Sequence, residues 1–432
     1  MTEGLLGIGA LLLLILLRAP IATAMIGVSL VGMVLKLGLV PAVSLVGKSI
    51  QSAGFEYALS IIPLFILMGN VIGRSGISEG LYRASYAWIG HKRGGLAAAT
   101  IIAAGGFAAV CGSSMATAAT MGRLAMPEMR KFGYRDGFAS ASIAAGGTLG
   151  VLIPPSLVLM VYGLLTQNDI GLLFIAGIVP GIVGIVGYIL AIAVAVYFKP
   201  ELGPPALRFS WKERLFALSA VGPTLLLFGL ILGGIYGKVF TAEEAAGVGA
   251  CGALLLAVVM RRLGFVEYKL ALVESAITTA SIFAILIGAV VFTNFVNIVG
   301  LPAALQTWMV ELRLPPLAVL GLIAIIFIGL GCILEGISIM LIAVPIFYPI
   351  VMSFGYDPIW FGVMITVFSE ITFIVPPLGI NLLVLRSVIK DLDYADLLRN
   401  IGPFIAADVV RVLVLVAFPA LVLWLPNMVA TK

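Results

Sequence analysis

Apolar residues come in long unbroken runs along this chain. Stretches of bilayer-spanning length occupy about 4–17, 20–40, 55–73, 95–122, 137–164, 169–197, 214–236, 241–260, 270–299, 316–350, 358–385 and 402–425. A helix needs roughly 20 apolar residues to cross a hydrocarbon layer about 30 Å thick. The alternation that marks a membrane β-strand is missing, and the runs are too long for one. The pattern therefore predicts an all-α polytopic membrane protein. The first run, Leu5 to Leu17, has no basic residue between Met1 and its start and no clean small-residue cleavage site at its end. It reads as a membrane helix and not as a secretory leader. One polar, proline-bearing stretch interrupts the pattern near the middle, Lys199 to Leu215 (KPELGPPALRFSWKERL). It predicts two halves, 1–198 and 214–432, joined by a linker at 199–213.

The halves repeat each other. Phe132-Gly133-Tyr134 is followed by Ile153-Pro154-Pro155, and Phe354-Gly355-Tyr356 by Val375-Pro376-Pro377. The offset is 222 residues for both motifs, Phe132 to Phe354 and Pro154 to Pro376. Pro127 and Pro349 share it, Pro180 lies within a residue of it from Pro403, and Glu56 and Phe65 pair with Glu274 and Phe283 at 218. Prolines recur in membrane helices, so one matching pair would mean little, but a collinear series around two double prolines indicates an internal repeat.

Charge then orients the repeats. The 95–122 run is flanked by His91-Lys92-Arg93 on one side and by Arg123, Arg130, Lys131 and Arg135 on the other. Cytoplasmic loops carry the Lys/Arg excess, so both ends belong inside. That makes the segment at about 95–131 a re-entrant hairpin, with Cys111-Gly112-Ser113-Ser114 at its tip, followed by a helix at about 137–164. The matching hairpin, about 316–353, has only Arg313 before it, and no Lys or Arg occurs between Leu314 and Leu385. Its ends fit the outside, and the helix at about 358–385 follows it. The linker (Lys199, Arg208, Lys212, Arg214), the loop with Arg261, Arg262 and Lys269, and the loop with Arg386, Lys390 and Arg399 all belong inside. Five crossings and one hairpin per half, an odd count, predict inverted repeats with both termini periplasmic.

Composition narrows the chemistry. The 432 residues are 62% hydrophobic and only 10% charged, against roughly a quarter charged in a soluble domain. The net charge of +5 is spread through short loops, which suits membrane orientation and not nucleic-acid binding. One histidine, His91, leaves no basis for histidine catalysis. Cys111, Cys251 and Cys332 have neither metal-ligand spacing nor a disulfide framework. With no clustered acids either, an enzyme is disfavoured and no cofactor is expected.

What remains are helix breakers and hydroxyls at membrane depth. In Gly146-Gly147-Thr148-Leu149-Gly150-Val151-Leu152-Ile153-Pro154-Pro155-Ser156 the prolines remove two donors and free the carbonyls of Gly150 and Val151. In Ser369 to Asn381 the freed carbonyls belong to Thr372 and Phe373. Unwound backbone in a bilayer must line a cavity or be buried in protein, and its carbonyls are hard ligands for a small cation. Packing kinks are the plainer alternative for either break alone. The hairpin tips add Ser113, Ser114 and Thr117 in the first half and Glu335, Gly336 and Ser338 in the second. Such hydroxyls usually bond to their own helix, but here they stand at a break facing another. Glu335 and Glu370 are intramembrane acids; each suits a cation ligand, a proton carrier or a hairpin lock, with a structural or site-supporting role favoured. Asp408 and Arg411, three apart, predict a structural pair. Thr293, Asn294 and Asn297 are candidates for a cavity lining. Residues 76–95 predict an amphipathic interfacial helix and loop, with Tyr86 and Trp88 as interface anchors.

At GSSMATAATMG (112–122), GGTLGVLIPPS (146–156), FGYDPIWFGV (354–363) and VPPLGINLLVL (375–385) the sequence resembles the large membrane subunit of tripartite ATP-independent periplasmic (TRAP) transporters, from about residue 5 to 425. The resemblance implies a secondary transporter of the ion-transporter superfamily in the bacterial inner membrane, with a scaffold and a mobile elevator domain holding both hairpins. It implies a small membrane subunit and a periplasmic substrate-binding protein as partners, and an organic anion such as a dicarboxylate, sialic acid or a sulfonate, driven by sodium. Carried over, one sodium site would use Ser113, Ser114, Gly150, Ile153 and Pro155. The second would use backbone near Glu335 and Gly336, with Thr372 and Pro377. Val375 stands where the family pattern has threonine before the double proline, so a hydroxyl is missing that Thr372 could supply. Substrate would lie near Ser114, Thr117, Gly336 and Asn381. A stand-alone carboxylate symporter of the same superfamily and an anion channel are the alternatives; a channel would need a continuous polar pore, whereas the polar residues converge on two midplane breaks.

Overall fold

A computed structural model describes residues 1–260 and 263–430, so the Arg261-Arg262 pair lies outside the described residues. Among the described residues all regular structure is helical. Among the described residues six helices are long and apolar enough to cross a bilayer, seven if Trp211–Ser219 and Gly222–Tyr236, bent by 49° at their junction, count as one span. Several predicted runs are shorter or divided. The 402–425 run splits into Gly402–Ala417 and Ala420–Ala430 around Phe418-Pro419, and the long helix expected from 270 begins earlier, as Phe265–Ile298. The bent pair starts inside the predicted linker because Ser210 and Glu213 form a capping box.

Two helices were not legible as separate elements. After Gly38, Leu39–Gly54 presents Ala42, Ser49 and Ala53 as a narrow buried stripe. Leu301–Glu311, 11 residues long, reaches only about 16 Å at 1.5 Å per residue.

One group of helices is built around Phe265–Ile298. Ile21–Leu37 crosses it where Gly288 has no side chain: a methyl there would lie 3.0 Å from the Ala22 carbonyl oxygen. Asn294 Nδ2 donates to Ser49 Oγ at 2.7 Å and Asn70 Nδ2 to Ser275 Oγ at 2.9 Å, while Arg74 is paired with Glu274. Small residues and interhelical hydrogen bonds are what hold helices together where lipid removes the hydrophobic drive between them.

The second group carries the breaks. Gly95–Cys111 is buried nearly all round, from Gly95 to Val110, as an apolar helix surrounded by protein should be. It ends at Gly112, whose φ of +62° is the left-handed conformation glycine favours. Ser113 is extended and Ser114–Lys131 begins the return arm. The second hairpin is Pro316–Gly331 and Gly336–Ser353. Both return arms start and stop at the 222-residue offset, Ser114 with Gly336 and Lys131 with Ser353.

Residues 77–89 form the amphipathic helix Ile77–Ile89. Its aromatic residues hold the linker: Tyr86 meets Phe209 edge-on at 5.1 Å and Trp88 meets Trp211 at 6.0 Å. Gly94 N–H donates to the Gly203 carbonyl at 2.8 Å and Ala206 N–H to Gly90 at 3.0 Å, so the linker is strapped down along this edge.

Candidate functional site

Each double proline breaks its helix with the same backbone pattern. The first helix runs Asp136–Thr148, tightens into a 3₁₀ turn at Leu149–Val151 and resumes as Leu157–Thr166. The second runs Pro358–Thr372 and resumes as Ile380–Val388. Ile153 N–H donates back to Leu149 at 3.2 Å, and Val375 N–H to Ile371 at 3.2 Å. The next residue is proline in both cases, so the carbonyls of Gly150 and Thr372 lose their helical donor. Of the other two carbonyls expected to be free, Val151 accepts from Ser156 Oγ, and Phe373 accepts from the Asn381 N–H at 3.0 Å. Of the two carbonyls expected to be freed at each break, one, Gly150 or Thr372, is thus without its helical donor.

Each tip lies on the break of its own half. A methyl built on Gly150 would sit 3.4 Å from the Ser113 carbonyl, and one on Gly112 would sit 3.5 Å from the Pro155 carbonyl oxygen. Ser113, Gly150 and Pro155 are therefore brought together, while the Ile153 side chain turns away against Gly105 and Gly181. In the second half a methyl on Gly331 would lie 2.2 Å from Thr372 Cγ2, and one on Gly336 would lie 3.1 Å from the Phe373 ring. Glu335 is half-buried at the helix start and makes no cap hydrogen bond. The two double prolines differ in setting: Pro154 and Pro155 are buried, Pro376 and Pro377 exposed.

Most hydroxyls at the tips serve their own helix. Thr117 Oγ1 donates to the Ser113 carbonyl at 2.8 Å, Thr372 Oγ1 to Ser369 at 2.6 Å, and Ser113 Oγ accepts from Ala116 N–H at 3.4 Å. Ser114 is the exception: its Oγ donates to Asn381 Oδ1 at 3.0 Å, and Asn381 Nδ2 donates to the Ala144 carbonyl at 3.0 Å. That chain joins the first tip to both broken helices in a buried seam. The Ser338 hydroxyl, buried in the second return arm, has no hydrogen-bond partner among the described residues.

Behind the breaks lies a cluster the sequence revealed only in part. Arg411 Nη2 is 2.9 Å from Asp408 Oδ1, the expected pair, and also 2.9 Å from Glu370 Oε2. Tyr188 OH donates to Asp408 at 2.8 Å, and Thr148 Oγ1 lies 3.0 Å from Tyr188 OH and 3.1 Å from Glu370 Oε1. All five residues are buried. Removing one partner from such an ion pair generally costs about 3–5 kcal/mol, because the other is left charged in a dry interior. Glu370 is thus a partner locked by Arg411. The signal that could have found the cluster is the repeat, since Thr148 and Glu370 stand 222 residues apart and Tyr188 and Asp408 stand 220 apart.

A cavity of about 1320 Å³ lies elsewhere, between Leu164–Leu172, Lys238–Glu244 and Phe265–Ile298. Thr293 and Asn294 line it; Asn297, Ser113, Ser114, Gly336 and Asn381 do not.

Residues 8–421 match the family described as tripartite ATP-independent periplasmic transporter, DctM component. The chain belongs to this family. It is 36% identical over 373 residues to the C4-dicarboxylate TRAP transporter large permease protein DctM of Pseudomonas aeruginosa, covering 86% of this chain and 87% of that one. It is 31% identical over 379 residues to the sialic acid TRAP transporter large permease protein SiaM of Vibrio cholerae, covering 86% and 87%. In fold it is similar to the YdaH transporter of Alcanivorax borkumensis, with a TM-score of 0.61 at 15% identity over 90% of this chain and 88% of that one. As a TRAP large permease component, the chain is a transporter subunit and not an enzyme, and it is a multi-pass protein of the bacterial inner membrane.

Proposed function

We propose that this TRAP permease imports an organic anion, a carboxylate or sulfonate, in symport with sodium. It takes its cargo from a periplasmic binding protein and works beside a small membrane subunit. The observation that carries the reading is the pair of breaks at one offset, each leaving a carbonyl without its helical donor, at Gly150 and at Thr372, under a hairpin tip. Hard, uncharged oxygens suit a weakly hydrated monovalent cation better than a transition metal, which would call for imidazole or thiolate. The first cation would be held by Ser113, Ser114, Gly150, Ile153 and Pro155, and the second by backbone near Glu335 and Gly336 with Thr372 and Pro377.

The anion belongs between the tips, near Ser114, Thr117, Gly336 and Asn381. Ser114 and Gly336 begin the two return arms, and in this reading the positive ends of those two helix N-termini would face the anion from either side. The relatives named for C4-dicarboxylate and for sialic acid both concern carboxylates, which is the charge those ends favour. Movement of the hairpin-bearing group against the helices around Phe265–Ile298 would carry the site across the membrane as an elevator.

Proteoliposomes holding this chain, the small subunit and the binding protein should take up the anion only under an inward sodium gradient. Uptake that ignores sodium and follows a proton gradient overturns the coupling ion.

A further inference from the structure

We propose that Thr148 and Glu370 form a bridge through which a cation at one break raises the affinity of the other, making Thr148 a positioning residue for both sites. The inference rests on the two-cation reading above. The single Thr148 Oγ1 proton is shared between the Ala145 carbonyl at 2.8 Å, in its own helix, and Glu370 Oε1 at 3.1 Å, and neither Thr148 nor Glu370 is exposed. Thr148 stands two residues before Gly150, and Glu370 two before Thr372, the residues whose carbonyls lose their donors. The turn that aims each carbonyl is therefore the turn that carries one end of the bridge.

Arg411 fixes the Glu370 end of that bridge. Arg411 holds the other Glu370 oxygen and is itself held by Asp408, which accepts from Tyr188. Arg411 Nε and Nη1 are buried without an acceptor among the described residues. The guanidinium thus spends its described bonds through Nη2, on the two carboxylates alone. A cation on the Gly150 carbonyl orders the turn containing Thr148, and through the hydrogen bond it also orders Glu370 and the turn ending at Thr372. A second cation then meets a carbonyl already oriented, and a shared ordering step is positive coupling between sites.

Thr148→Val removes the hydroxyl at nearly constant volume and leaves Glu370 paired with Arg411; Thr148→Ser keeps the hydroxyl. Tyr188→Phe removes a neighbouring hydroxyl but leaves the bridge. Sodium titrations of the purified full chain by thermal shift, and of uptake in the reconstituted complex, read the effect. Wild type, Thr148→Ser and Tyr188→Phe should show a Hill coefficient of about 2, and Thr148→Val about 1 with half-saturating sodium raised several-fold. Losing a buried hydroxyl should lower the sodium-free unfolding temperature of Thr148→Val and Tyr188→Phe alike, so each titration is read as the shift from that variant's own sodium-free value. A steep response in the hydroxyl-free variant, a Hill coefficient of 1 in wild type, or equal loss in Tyr188→Phe overturns the bridge. No sodium response in wild type overturns the two-cation reading itself.

Discussion

Gly177 lies in the helix Ile170–Phe198 where that helix passes the first break, and its missing side chain sets how closely the two approach. A methyl there would lie 2.6 Å from the Leu152 carbonyl oxygen and 3.0 Å from Leu159 Cδ1. The obstacle is backbone, which cannot rotate away. Ten residues on, a methyl at Gly187 would meet nothing nearer than Ala407 Cβ at 4.0 Å. Gly177→Ala should therefore destabilise the fold by about 1–3 kcal/mol through overpacking. Gly187→Ala should be neutral or stabilising by up to about 1 kcal/mol, since alanine is the better helix former. Thermal unfolding of the two variants in detergent tests this, and equal shifts would contradict it. Neither glycine stood out in the sequence, because both are small residues in an apolar helix and only the facing surface separates them. Thr148 and Glu370 were legible as residues but not as a pair, since their contact joins two breaks whose equivalence had to be read before their geometry.

At the scale of elements, the breaks and hairpins were the most legible features. Proline and positive-φ glycine act locally, so Pro154, Pro376 and Gly112 place their interruptions without help from tertiary structure. Leu39–Gly54 and Leu301–Glu311 were hidden because they continue neighbouring apolar sequence after a single glycine, Gly38 or Gly300. Long-range ties were also out of reach. Arg130 pairs with Asp136 at 2.6 Å and with Asp391 at 3.0 Å, and Arg135 pairs with Asp396 at 2.8 Å. Both cross-chain pairs span 261 residues and fasten the turn after the first hairpin to the segment after the second broken helix. The Arg130 hydrogen bond holds the exposed Asp391 carboxyl below its ordinary value of 3.8. A carboxyl held low in the fold contributes stability above the ordinary value and loses it as pH falls through the lowered one. Asp391→Asn should thus speed amide hydrogen exchange in residues 129–134 and 388–392 at pH 7, and the gap from wild type should close below about pH 3.8. The effect should also shrink in high salt, as expected of an exposed pair. A gap unchanged across pH would show that the carboxylate is not what holds these segments.

For the whole molecule, the question is on which side each hairpin opens. Lys131 and Ser353 end the two return arms at the same offset, and both are exposed. Between them the chain passes through the first broken helix, Ile170–Phe198, the bent pair ending at Tyr236, Ala242–Val259 and Phe265–Ile298. Leu301–Glu311 is too short to cross, and a hairpin returns to the side it entered whether or not its arms reach through. We predict that each of these five crosses the bilayer, an odd number that would put Lys131 and Ser353 on opposite faces. The basic residues Arg130, Lys131 and Arg135 predict a cytoplasmic position for the first. The lack of Lys and Arg between Leu314 and Leu385 predicts a periplasmic position for the second. With Cys111, Cys251 and Cys332 replaced by serine, Ser353→Cys in intact cells should react with a membrane-impermeant maleimide. Lys131→Cys should react only after the membrane is opened. Labelling of both from the same face would refute the inverted arrangement, and with it the placement of the two helix N-termini on opposite sides of one anion.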